Sequence, residues 1–130
     1  MIDQDALQAA IFNALDGVPG MPPVYDDVPE NVPFPYVVIG DDVSAAFDDD
    51  CGSGADSMVT IHVWSTYPGR AEAKQILELI ARTLHRSNLV IAGNALITID
   101  ADYQMTLLDP DGVTRHGVIR FRVLTREIQP

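Results

Sequence analysis

The sequence predicts an α+β fold in the order α-β-β-α-β-β, with a four-stranded, mainly antiparallel sheet packed with two helices. Three observations lead there. Two segments space their apolar residues at the helical period, four segments alternate, and the alternating segments form two pairs with turn-forming residues between them. The 130 residues fit a single domain with one core.

The first helix is read from DALQAAIFNALDG. Leu7, Ala10, Ile11, Ala14 and Leu15 fall at i, i+3, i+4, i+7 and i+8, with Asp3 or Asp5 at the entry and Gly17 as the stop. Prolines stud residues 18–35, a connector in which only VYD has the composition of a short edge strand. A strand begins at Tyr36, and SMVTIHVWS resumes alternation over residues 58–65. There Val59, Ile61 and Val63 share one face, and Thr60, His62 and Trp64 the other. The two runs make a hairpin with a long acidic loop, residues 45–56, reading AAFDDDCGSGAD.

The second helix lies in PGRAEAKQILELIARTLHRS. Ala73, Ile76, Leu77, Ile80 and Leu84 form its apolar face, and Glu78 stands four residues before Arg82 in the favourable order. His85 and Arg86 at its end read as cations near the negative end of the helix dipole. A short crossing, NLVIAGN, leads to two more alternating runs, residues 95–108 and 114–127.

Between those runs lies DPDGV, which resembles the start of a calcium loop. An EF-hand loop ends in a bidentate Glu at its twelfth position, and counting from Asp109 that position holds Arg120. As a turn, with Leu108 opposite Thr114, the segment sets Ile99 against Val123, Ala101 against Phe121 and Tyr103 against Ile119. On the other face Asp100 meets Arg122 and Asp102 meets Arg120. Apolar parity and charge complementarity select one register, so the segment is read as a hairpin.

The net charge of −11 is unevenly spread. Residues 1–69 contain twelve acids and no Lys or Arg, whereas residues 70–130 hold all eight bases and seven acids. A chain without a basic footprint is a poor binder of DNA or RNA, although an acidic surface can still matter near DNA, because it repels a passing duplex and does not hold it. No apolar run approaches the ~20 residues of a membrane helix. MIDQDALQAA lacks the parts of a signal peptide, and the single cysteine, Cys51, has no internal partner. Synthesis in a bacterial cytoplasm is the default reading.

The search for chemistry finds no catalytic constellation, no cofactor fingerprint and no metal-ligand spacing. His62, His85 and His116 are not linked by any zinc-binding pattern, and Cys51 has no neighbouring His or Lys to activate it. Asp48, Asp49, Asp50 and Asp56 could be imagined around a hard cation, but a Gly-Ser-Gly setting favours a solvated loop tip. The face opposite the core pattern is more distinctive. It would gather Trp64, Val118 and Leu124 among His62, Arg120, Arg122, Arg126, Asp100 and Asp102, the anatomy of a protein–protein patch. The alternative is that the N-terminal helix covers that face.

The segments ALQAAIFNAL, VYDDVPENVPFPYVVIGDD, IHVWSTYPGRAEAKQILELIARTL and LLDPDGVTRHGVIRFRVLT occur in this order over residues 6–127. Together they resemble the tail-completion, or tail terminator, family of long-tailed bacteriophages and gene transfer agents. YDDVP (Tyr25 to Pro29), FPYVV (Phe34 to Val38), HVWS (His62 to Ser65) and GRAEA (Gly69 to Ala73) occupy the family's recurring positions. The loop at 45–56 falls where members carry a hairpin extension that contacts neighbouring subunits or the tube, here with Phe47 as its apolar anchor. The resemblance implies a non-enzymatic α+β protein without cofactor. It would form a ring, usually of six copies, on the head-proximal end of the tail tube. That ring would stop tube growth and dock to the head connector or stopper protein, with DNA only as passing cargo and no membrane contact. In the particle it would lie at the neck between head and tail.

The interface residues expected on this reading are Phe47, Asp48, Asp50, Trp64, Arg70, Lys74, Arg82, Arg120, Arg122 and Leu124, with an acidic flank of one copy meeting Arg70, Lys74 or Arg82 of the next. Two alternatives stand beside it. One is a connector-side stopper protein of the same neck. The other is a small acidic binding module holding a divalent ion at Asp48–Asp56.

Overall fold

Glycines and prolines cut the chain where the sequence places its turns. The computed structural model describes residues 4–48 and 52–128. The first helix, α1 (Gln4–Leu15), buries Leu7, Ala10, Ile11 and Leu15 and ends before Gly17, which takes φ 78°. Of its two expected entry residues, Asp5 falls inside the first turn and Asp3 lies outside the described residues, as do Asp49, Asp50 and Cys51 of the acidic loop.

Among the described residues the sheet has five strands, not the expected four. VYD supplies the extra one: β1 (Val24–Tyr25) lies parallel to β2 (Tyr36–Ala46), pairing Val24 with Val37 and Tyr25 with Val38. Val24 is buried, and the N–H of Val37 donates to the Pro23 carbonyl at 2.9 Å. The prolines before β1 cannot donate to a ladder, which helps keep the strand short. A bulge between Ile39 and Asp42 shifts the register of β2 against β3 (Gly54–Ser65). Because β2 runs to Ala46 and β3 starts at Gly54, the loop is shorter than expected, and Asp56 belongs to a strand.

The second helix, α2 (Ala71–Leu84), buries the five apolar residues its spacing selects: Ala73, Ile76, Leu77, Ile80 and Leu84. Each of the four Ile and Leu side chains contributes about 1.5–3 kcal/mol on burial. Glu78 and Arg82 pair at 3.6 Å on the exposed side. His85 ties the helix end to the sheet, its Nδ1 accepting the Ala101 N–H at 3.0 Å.

The last hairpin, β4 (Asn94–Leu108) and β5 (Arg115–Glu127), keeps the predicted register at its centre: Ile99 faces Val123, Asp100 faces Arg122 and Ala101 faces Phe121. A bulge then intervenes between Ala101 and Tyr103. Tyr103 faces Arg120, Gln104 faces Ile119 and Leu108 faces Arg115, one residue out from the expected pairing. An unbroken alternation cannot anticipate a bulge, because one extra residue moves the side chains beyond it to new partners. At the turn, Asp111 accepts the N–H groups of Val113 and Thr114, both at 2.8 Å, and the Thr114 hydroxyl at 2.6 Å. Those bonds hold its carboxyl below the usual range.

The sheet order is β1-β2-β3-β5-β4. Both helices contribute to one core with Val37, Ile39, Ile61, Ile99, Ile119 and Phe121. α1 packs on β1, β2 and α2, and α2 packs on β3, β4 and β5. The helices therefore share one face of the sheet. The opposite face has no helical cover among the described residues, which settles the question of whether α1 hides it.

Candidate functional site

Strand periodicity builds the uncovered face. On β3, Asp56, Met58, Thr60, His62 and Trp64 point away from the core, each half-buried between core-facing neighbours. β5 adds His116, Val118, Arg120, Arg122 and Leu124, and the register sets Trp64 beside His116, His62 beside Val118, and Thr60 beside Arg120. The patch read from sequence is thus assembled, with Trp64, Arg120, Arg122 and Leu124 on one surface.

One end of this surface is aromatic. The Trp64 ring lies nearly parallel to His116, 7° off, with centroids 3.9 Å apart. His116 in turn stacks on His62 at 4.9 Å, and His62 Nδ1 is 2.7 Å from His116 Nε2. Burial pushes the His62 ring below its ordinary value against the opposing pull of Asp41. His116 is pushed down by burial and then by His62, with Asp109 opposing. Two half-buried imidazoles in contact favour one shared proton over two. Tyr36, the partner of Trp64 on β2, continues the row to Phe34 at 5.1 Å and Tyr25 at 6.2 Å.

The other end is charged and internally neutralised. Arg122 grips Asp56 through two bonds, Nε–Oδ1 at 3.0 Å and Nη2–Oδ2 at 2.7 Å. This corrects the expected partner: Asp100 is opposite Arg122 in register, but its ion pair is with Arg86 at 3.2 Å. The Arg122 hydrogen bond holds the Asp56 carboxyl low, and Asp56 raises the guanidinium in return. Asp100 is held low first by the Thr98 hydroxyl and then by Arg86. Arg120 meets Asp102 at 3.1 Å, as expected, and lies 5.2 Å from the Tyr103 ring centre.

The remaining sequence-selected residues lie elsewhere. Phe47 and Asp48 sit at the tip of the β2–β3 hairpin, where the Phe47 N–H donates to the Gly54 carbonyl at 2.9 Å and Asp48 accepts the Gly54 N–H at 3.4 Å. Asp50 lies outside the described residues. Arg70 and Lys74 flank the end of β4 beside Leu108 and Met105. Arg82 instead lines a cleft of about 630 Å³ with Pro22, Pro23, Phe34, Pro35 and Leu79. The hard-cation reading loses Asp56 to Arg122, and no group of three or more metal-ligating side chains occurs among the described residues.

Sequence reasoning weighed His116 only as a metal ligand and Tyr36 only as a strand start, and left both off the patch. His116 shares parity with Val118 and Arg120, so its face was readable. Its contact with His62 depends on β3 pairing with β5 across an intervening helix and strand, which no local pattern announces.

With this geometry in place, similarity to known proteins decides the family. The Tail completion protein gp17 family matches residues 6–126. The chain belongs to this tail completion family. It is 31% identical over 121 residues to the tail completion protein gp17 of Bacillus phage SPP1, covering 90% of each chain. Among solved structures, a chain of the virion of a native gene transfer agent particle superposes with a TM-score of 0.84 at 26% identity, covering 95% of this chain and 96% of that one. The structure of bacteriophage SPP1 gp17 gives a TM-score of 0.58 at 30% identity, covering 96% and 90%. The resemblance read in the motifs is therefore a family relationship, and the tail completion fold is the α+β arrangement described above.

Proposed function

We propose that this chain is a structural neck protein that forms a ring, of six copies, on the head-proximal end of a tail tube. There it ends tube growth and joins the tube to the head connector or stopper. DNA passes through the lumen without being gripped, and the protein catalyses nothing. The observation that carries this reading is the near full-length likeness to a chain of a gene transfer agent virion, together with membership of the tail completion family.

The physical features agree with that role. A tube-capping protein needs a broad surface for protein contact, and the uncovered face offers stacked Trp64 and His116 beside Leu124, Arg120 and Arg122. Aromatic and Arg side chains are the groups that dominate protein–protein binding. A net charge of −11 per copy suits a duct that must not hold a passing duplex. Phe47 and Asp48 at the hairpin tip are positioned to reach a neighbouring copy or the tube.

Labelling the chain with a bulky tag and imaging particles by electron microscopy tests the placement. The account expects the label at the junction of head and tail. A label at the distal tip or along the tube would contradict it.

A further inference from the structure

The two edges of the sheet are unlike each other. β4 forms one edge and its strand partner is β5; the end of α2 takes up its Ile99 carbonyl and Ala101 N–H, and beyond Ala101 its outer side is open among the described residues. Past the bulge its burial alternation fails: Asp102, Tyr103, Gln104 and Met105 are all exposed, on both faces of the strand. Tyr103 is 46% exposed and Leu108 47%, and residues 103–108 carry no charge, an edge of the kind that sheets normally cover or charge. Beside it stand Arg70 and Lys74, and neither forms an ion pair among the described residues. The acids on β4 are neutralised within the chain, Asp100 by Arg86 and Asp102 by Arg120. This edge is therefore basic.

The opposite edge is acidic. β1 pairs with Val37 and Val38 of β2, and from Ile39 to Ala46 the strand has no strand partner on that side among the described residues. Asp41 and Asp42 lie in this stretch, and Asp26 and Asp27 follow β1. None of the four forms an ion pair with Lys or Arg among the described residues.

We infer that the β4 edge of one copy, with Arg70 and Lys74, docks on the acidic β1–β2 edge of a second copy, with strands running antiparallel. Strand sense supports the pairing. β2 is antiparallel to β3, β3 to β5 and β5 to β4, so β4 runs opposite to β2, and β1 runs parallel to β2. Rotation about an axis along the strands preserves each strand's sense, so β4 meets the next copy's β1 or β2 antiparallel, whichever receives it. Such a contact joins two different surfaces, and it closes into a ring when the rotation divides a full turn. The inference rests on the ring reading and names the surfaces that build it.

The test uses two charge-reversed chains in particle-producing cells that lack the wild-type copy. One carries Arg70→Glu and Lys74→Glu, the other Asp41→Lys and Asp42→Lys. Arg70, Lys74 and Asp41 are exposed and Asp42 is half-buried, and thermal unfolding of the purified chains verifies that both variants fold. Each variant alone would present two edges of like charge, and its copies per particle should fall at least tenfold by quantitative mass spectrometry. Expressed together, the two present complementary edges at every junction and should recover to at least half the wild-type number. Wild-type incorporation by either variant alone, or no recovery on mixing two folded variants, overturns the edge pairing. A single wild-type copy per particle overturns the ring reading as well.

Discussion

His62 Nδ1 and His116 Nε2 lie 2.7 Å apart across β3 and β5, with the Trp64 ring stacked on His116. Both imidazoles bind protons less readily in the folded chain than at the ordinary value of 6.5, chiefly because they are partly buried. As the pH falls the unfolded chain takes up these protons first, so stability is full above 6.5 and declines as the pH drops toward the lowered folded values. Thermal unfolding should show the melting temperature falling between about pH 6.5 and pH 5, before carboxylates contribute. His116→Gln should flatten that slope. An unchanged slope in the variant would mean that the pair does not carry the effect.

Gly54 is fixed by its surroundings. A Cβ there would fall on the carbonyl oxygen of Thr125 and 2.7 Å from that of Phe47, both backbone atoms that cannot swing away. Gly54→Ala should therefore cost about 1–3 kcal/mol in stability, read from denaturant unfolding. A neutral result would show that the hairpin shifts freely at its base.

Core and surface substitutions should separate folding from assembly. Leu77 is fully buried beneath Gly117, and Leu77→Ala should cost about 2–5 kcal/mol. Trp64 is half-buried on the uncovered face, and Trp64→Ala should cost about 1 kcal/mol from lost stacking in addition to the apolar burial it gives up. The same Trp64 variant should sharply reduce the number of joined particles while remaining folded. Normal joining with Trp64→Ala would remove this face from the contact surface.

Divalent ions should bind without stoichiometry. Asp56 is held by Arg122, and Asp48 caps the Gly54 N–H, so the acidic loop lacks a converging ligand set among the described residues. Calorimetry with millimolar Mg²⁺ or Ca²⁺ should give only weak, salt-like heats. A defined one-to-one isotherm abolished by substituting Asp48, Asp50 and Asp56 would restore the cation site.

Much of this fold was legible because its core strands and helices obey simple periods. The α2 stripe from Ala73 to Leu84 and the central pairing of Ile99 with Val123 follow from spacing alone. The parts that escaped depend on irregularity or on distant pairing. The bulge after Ala101 moved Tyr103 to Arg120, and the short β1 needed β2 to exist before its two residues could pair. Arg122 chose Asp56, 66 residues away, because β5 sits between β3 and β4 and can reach acids on either side. The patch residues were found by parity on each strand, while the His62–His116 contact required the strand order itself.

The central claim is that this chain completes the tail and joins it to the head. Electron microscopy of particles made without it tests this most directly, by measuring tail length and counting attached heads. The account predicts headless tails that grow beyond normal length. Tails of normal length bearing heads would contradict it.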